Sequence, residues 1–144
     1  MHSPVSTTVS FVLLALVIGG SFVYISMSKP WLGIEQGRSI TPDIAQQLNL
    51  ENPYGILVIT VEPGSPAGRA GIKGVERTVV NGEQALIIGD IIIGADDKEV
   101  KTSGDLYAIL ATKNIGDNVK LKVIHDNTAQ EINVVLATRN QPGL

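Results

Sequence analysis

Hydrophobic side chains fall into two regimes along the 144 residues. From Val9 to Met27, VSFVLLALVIGGSFVYISM, they run almost unbroken, and Ser10, Ser21 and Ser26 are the clearly polar positions. Roughly 19 to 20 helical residues, at about 1.5 Å rise each, cover the ~30 Å hydrocarbon layer of a bilayer. A helix also satisfies its own backbone there. The run therefore predicts a transmembrane helix, with Tyr24 and Trp31 near its C-terminal end, where interfacial aromatics belong. A cleaved signal peptide competes, but Met1-His2-Ser3-Pro4 carries no Lys or Arg and Tyr24 to Ser28 offers no Ala-x-Ala site. A buried core helix is disfavoured because the run is apolar all round. Gly19-Gly20 could let helices pack closely, but it is not a spaced small-xxx-small motif.

Beyond Lys29 the apolar residues come in short bursts separated by turn formers. Trp31 to Gly37, WLGIEQG, predicts a short strand. Thr41-Pro42-Asp43 predicts a helix start, with Thr as N-cap, Pro at the first helical position and Asp in the first turn. Ile44, Ala45 and Leu48 share one face of that helix, which ends near Asn49. Tyr54 to Val61, YGILVITV, predicts a buried strand. Glu62-Pro63-Gly64 turns the chain, and Ser65-Pro66 caps a short helix, PAGRA, that Gly71 closes. Arg77 to Ile88 holds two β-rich runs around Asn81-Gly82, a favoured type I′ hairpin turn. Asp90 to Ala95 predicts another buried strand. Ser103 is placed as the N-cap of a helix from Asp105 to Lys113, with Leu106, Ile109, Leu110 and Lys113 at helical spacing. Gly116-Asp117 leads into Val119 to His125, and Asn127-Thr128 into Gln130 to Ala137, a pair that predicts an antiparallel hairpin. The sum is an α+β, mainly β fold: a partly open barrel of five to six strands with two to three helices. The chain divides into an anchor (1–28), a domain (29–139) and a flexible tail (140–144).

Composition sharpens this picture. Hydrophobic content is 44% but aromatic content only 4%, as expected when part of the apolar residue faces lipid. The first charged side chain is Lys29, so the net charge of −3 belongs to the domain. A mildly acidic domain lacks the basic face that nucleic acid requires. Absence of cysteine removes disulfides, zinc–thiolate sites and a Cys nucleophile.

The ordered elements resemble a PDZ domain of the Deg/HtrA serine-protease type. Tyr54-Gly55 with its apolar run, Val61-Glu62-Pro63-Gly64-Ser65-Pro66-Ala67 and Ala70-Gly71-Ile72 match that family's signature. So do Gly89-Asp90-Ile91-Ile92, the helix from Ser103 to Gly116-Asp117, and the apolar-Gly-apolar loop Leu32-Gly33-Ile34. The match runs from Trp31 to Ala137. It departs at Gly74 and Gly89, normally near neighbours, between which Val75 to Ile88 reads as an inserted β-hairpin. The family's protease domain has no counterpart in the 144 residues.

The resemblance implies a site that binds peptide C-termini by strand addition. Leu32, Gly33 and Ile34 would bind the carboxylate through backbone N–H groups, since glycine lets an anion approach the amides. Glu35, Gln36 and Gly37 would form the pairing strand. Tyr107, Leu110 and Ala111 would face the groove from the helix, with plain core as the alternative for Leu110. Trp31 is an interfacial anchor, a flank of the carboxylate loop, or both. The loop follows the membrane exit by about three residues, so the groove is expected close to the bilayer, with ligands on flexible tails nearby.

Catalysis is not expected. A Ser-His-Asp triad needs a histidine base, and the two histidines are His2, ahead of the anchor, and His125, at a strand end where a solvated side chain is the default. There is no His-Glu-x-x-His motif or phosphate loop, and Asp96-Asp97 reads as a turn rather than a metal site. No cofactor is expected. The expected function is a membrane-anchored, single-pass peptide-binding module that regulates a protease or envelope complex. Alternatives are the non-catalytic part of a Deg-like system with a separate protease subunit, and a scaffold in a secretion assembly. Lys29 alone favours a cytoplasmic domain, whereas the family's usual placement is extracytoplasmic.

Overall fold

The computed structural model describes residues 11–18 and 21–139. Expectations placed on the first ten residues, on Gly19-Gly20 and on the tail at 140–144 lie outside the described residues.

The long hydrophobic run differs from its expected form. It makes two strands, β1 (Phe11–Ile18) and β2 (Ser21–Ser28), paired antiparallel from Phe11↔Ser28 to Ile18↔Ser21. Among the described residues no helix is long and apolar enough to cross a membrane. Over the described part of Val9 to Met27, two paired strands stand where a helix was expected. A run that is apolar at nearly every position carries neither the helical nor the strand period, so pattern does not choose between them. Val, Ile, Phe and Tyr favour strands, and a Gly-Gly pair between two such runs is a hairpin signal.

The domain that follows contains β3 (Ile34–Ser39), α1 (Pro42–Gln47), β4 (Ile56–Val61), α2 (Pro66–Arg69), β5 (Glu76–Val80) and β6 (Glu83–Ile87). It continues with β7 (Ile91–Ala95), β8 (Lys98–Glu99), α3 (Ser103–Leu110), β9 (Asn118–His125) and β10 (Thr128–Val135). One antiparallel sheet runs in the order β10-β9-β7-β4-β3, with β8 paired to β7. The fold is mainly β and its sheet is open.

The uninterrupted apolar strands are uninterrupted because both their faces are covered. Ile56 and Val58 of β4, with Ile92 of β7, point into one cluster beside Leu106, Leu110 and Leu121. Leu57, Ile91 and Ile93 point into a second cluster, which Ala45 of α1 and Ile40 complete. Each fully buried Ile or Val here contributes about 1.5–3 kcal/mol. The chemistry expected at the helix starts holds. Thr41 Oγ1 accepts the Ile44 N–H at 3.2 Å, and Ser65 Oγ accepts the Gly68 N–H at 3.1 Å. One cap moves: Thr102, not Ser103, caps α3, because Asp105 closes a capping box back onto the Thr102 N–H. That helix ends at Leu110 rather than Lys113. The Lys113 ammonium instead reaches the Asn118 carbonyl at 3.1 Å and pairs with Asp96.

The insert is a free-standing hairpin of β5 and β6. Asn81 and Gly82 both have positive φ, 52° and 80°, as a type I′ turn requires. The insertion leaves the surrounding geometry intact, since its two ends meet. A Cβ on Gly89 would lie 2.7 Å from the Gly74 carbonyl carbon, so the glycines touch backbone to backbone across the hairpin's base. Asp96 and Asp97, at φ 50° and 66°, make a similar turn and create the short β8, which the sequence did not predict.

Candidate functional site

Strand β3 ends the sheet: β4 is its strand partner among the described residues. Its outer edge therefore carries backbone groups that another extended chain can pair with. The predicted strand began at Trp31, but Trp31 forms an isolated bridge to Ala137, and Leu32-Gly33 is a bend ahead of β3.

That bend is fixed by its carbonyls. The Leu32 carbonyl accepts the Ala67 N–H at 2.8 Å, and the Gly33 carbonyl accepts the Glu62 N–H at 2.8 Å. Both carbonyls thus point at the Glu62–Ala67 segment. A trans peptide plane sets each N–H opposite the carbonyl before it. The Gly33 and Ile34 N–H groups are therefore turned away from that segment, on the side where a carboxylate would be met. Gly33 has φ +97°, and any Cβ there would overlap the Ser65 side chain. Ser65 is buried and caps α2. The Gly-Ser-Pro-Ala run and the Leu-Gly-Ile loop are thus one device: the capping serine is the floor against which the glycine bends.

The nine residues expected at the site fall into three settings. Leu32 and Gly33 are buried and Ile34 is half-buried, packed on the core. Glu35, Gln36 and Gly37 lie along the edge strand, and the Thr60 hydroxyl donates to Gln36 Oε1 at 3.3 Å. On α3, Leu110 is 6% exposed and shares the cluster of Leu32, so it is core beneath the site. Tyr107 is 67% exposed, and Ala111, also exposed, is the C-cap rather than a residue within the helix.

Two constellations escaped sequence reasoning. In the first, Arg139 bonds both Glu35 carboxylate oxygens at 3.3 Å, and its guanidinium lies 5.7 Å from the Trp31 ring centre. Glu62 stands beside Glu35. A hydrogen bond between the two carboxyls, then burial, then the Glu35 charge raise Glu62 above the usual carboxylate range, against the pull of Arg139.

In the second, His125 Nδ1 lies 2.6 Å from Asp90 Oδ1, and Asp90 Oδ2 accepts the Lys73 N–H at 3.0 Å. The Asp90 side chain is 3% exposed, that of His125 42%. The hydrogen bond His125 donates to Asp90, then the charges of Asp90 and Asp126, raise His125 above its ordinary value, against desolvation and the charge of Lys73. His125 is therefore not a simply solvated histidine. The available signal was the Gly-Asp step: a buried acid needs donors. Asp96 and Asp97 are tied to lysines. Asp96 accepts the Lys120 N–H at 2.9 Å, and Asp97 lies 3.0 Å from Lys120 Nζ. The pairing with Lys113 holds Asp96 below the usual carboxylate range, helped by the Lys120 N–H. Among the described residues no group of three or more acidic or His side chains could hold a metal.

Residues 34–136 match the family model for the PDZ domain. The chain belongs to the PDZ-domain family. Its relatives place this PDZ domain in the HtrA/Deg type. It is 33% identical over 110 residues to Protease Do-like 1, chloroplastic, of Arabidopsis thaliana, covering 76% of this chain and 23% of that protein. It is 32% identical over 104 residues to a probable periplasmic serine endoprotease DegP-like of Rickettsia conorii, covering 72% and 18%. The chain therefore spans about a fifth of these relatives. Among solved structures, the HtrA3 PDZ domain bound to a phage-derived ligand, FGRWV, aligns with TM-score 0.56 and 26% identity, over 75% of this chain and 85% of that one. HtrA-type protease AlgW with a decapeptide shares the fold, with TM-score 0.59 and 18% identity over 92% and 43%. A PDZ domain is a non-catalytic module, and the proteolysis in those names belongs to those proteins.

Proposed function

We propose that this PDZ domain binds free polypeptide C-termini by strand addition to β3, tethered to a membrane by residues 9–27. In that setting it serves as adaptor or regulator of a protease or envelope complex. The observation that carries the binding role is the bend at Leu32-Gly33, where both carbonyls are engaged by the domain and the amides turn toward the open edge. Peptide ligands on HtrA-type neighbours support it.

The tether rests on the hydropathy of the N-terminal run. A two-stranded hairpin in lipid would leave both outer edges unpaired, at several kcal/mol per group. A bilayer would therefore favour the helix that the run is long enough to form. Periplasmic and chloroplastic relatives support an extracytoplasmic domain. Reporter accessibility at Leu144 tests that side of the membrane.

The binding role is tested with a fluorescent pentapeptide ending in Val, as free acid and as amide, against the full chain. The amide is expected to bind at least tenfold more weakly, and Gly33→Ala to abolish binding of the acid. Equal affinity of acid and amide removes the proposed role.

A further inference from the structure

Resting on the reading that the groove takes a free C-terminus, we propose that Glu35, held by Arg139, and the neighbouring Glu62 select a basic side chain at the ligand's penultimate position.

A strand added antiparallel to β3 sends successive side chains to opposite faces, and cross-strand neighbours share a face. The last ligand residue lies against Ile34, which packs toward the core. The penultimate side chain then projects to the outer face, level with Glu35. Glu35 is an extra residue there: the register passes from Ile34↔Val61 to Gln36↔Thr60, leaving Glu35 without a partner on β4. Such a bulge re-aims the side chain it carries. Here it aims the carboxylate at Arg139, whose guanidinium is held over Trp31. The Glu62 backbone is bonded to the Gly33 carbonyl, which fixes the second carboxyl at the same end of the groove.

Arg139 pairs with Glu35 alone and Glu62 stands beside that pair, so with both carboxyls ionised the corner carries one negative charge more than positive. A Lys or Arg beside it gains a partner, whereas an Asp or Glu meets like charge. Arg38, the cation on β3 itself, lies three residues beyond Glu35, about 10 Å away. The groups are partly exposed (28% for the Glu35 side chain, 54% for Arg139), so the selectivity is modest. A change from Glu to Lys at the penultimate position is worth about threefold to tenfold in Kd, and salt weakens it.

The test uses the full chain and three labelled free-acid pentapeptides ending in Val, with Lys, Ala or Glu before it, plus the amide of the Lys peptide. The expected order of affinity is Lys, then Ala, then Glu. In Glu35→Gln/Glu62→Gln the spread should shrink below about twofold, with the Ala peptide still bound. If the acids bind, the amide does not, and Lys and Glu peptides are equivalent, the selectivity is overturned and the groove stands. If the preference survives in the double variant, the assignment to these residues is overturned. If none of the acids binds, or the amide binds as well as its acid, the groove reading fails and the inference with it.

Discussion

At the scale of single residues, Asp90 shows how one buried group sets its neighbours. Its carboxylate takes the Lys73 N–H on one oxygen and His125 on the other, while its own N–H donates to the Lys73 carbonyl at 2.9 Å. It thereby locks the two ends of the inserted hairpin together and ties them to β9. Because His125 is raised in the folded state, its protonated form stabilises the fold. That contribution is complete below the unfolded value of about 6.5 and is lost as pH rises through the higher folded value. The advantage of the wild type over His125→Ala, read as a difference in Tm, should therefore shrink as pH is raised from about 5.5 to about 8.5. It should not vanish, since a neutral imidazole still donates from Nδ1. An advantage independent of pH, or growing with pH, contradicts the proposed pairing.

Among the elements, the β5–β6 hairpin stands apart. It presents Val79 and Leu86 on one face, 66% and 62% exposed, and Val80 and Ile87 half-exposed on the other. A hairpin with so little covered surface adds little to the core, and its conformation rests on the Asn81-Gly82 turn and the closed base at Gly74 and Gly89. Replacing both exposed residues, Val79→Thr with Leu86→Gln, should shift the stability by no more than about 0.5 kcal/mol per site. Denaturant midpoints measure this. A loss above about 2 kcal/mol would show that the hairpin packs on the domain. Helix α3 stands in contrast, with a complete capping box at its start and Leu106, Ile109 and Leu110 buried. That helix is held firmly in the fold.

For the molecule as a whole, the spacing between the N-terminal run and the bend at Leu32-Gly33 matters most. Only Ser28, Lys29, Pro30 and Trp31 lie between Met27 and Leu32. If residues 9–27 are anchored in a bilayer, ligands must reach the groove within a short distance of the surface. Flexible tails next to the membrane meet that condition. Inserting about ten Gly/Ser residues after Lys29 would move the groove outward by roughly 15–20 Å. Proximity labelling in cells should then recover a different set of C-termini. An unchanged set would count against membrane placement as the source of selectivity and leave intrinsic binding untouched.

Local chemistry made much of this legible from residues alone. Thr41 and Ser65 as caps, the Asn81-Gly82 turn and the buried strands around Ile56 and Ile92 each depend on residues within a few positions of one another. Their side-chain and backbone preferences act over that range whatever lies beyond. The tertiary structure decided the rest, because pairing across a sheet depends on register and edges, which distant segments share. Arg139 meets Glu35 from 104 residues away and His125 meets Asp90 from 35, and no local pattern marks either pair. Gly74 and Gly89 are rejoined only when the hairpin between them closes. The run from Val9 to Met27 is apolar at nearly every position and suits a helix or a strand. There it is the surroundings, lipid or a partner strand, that choose the form.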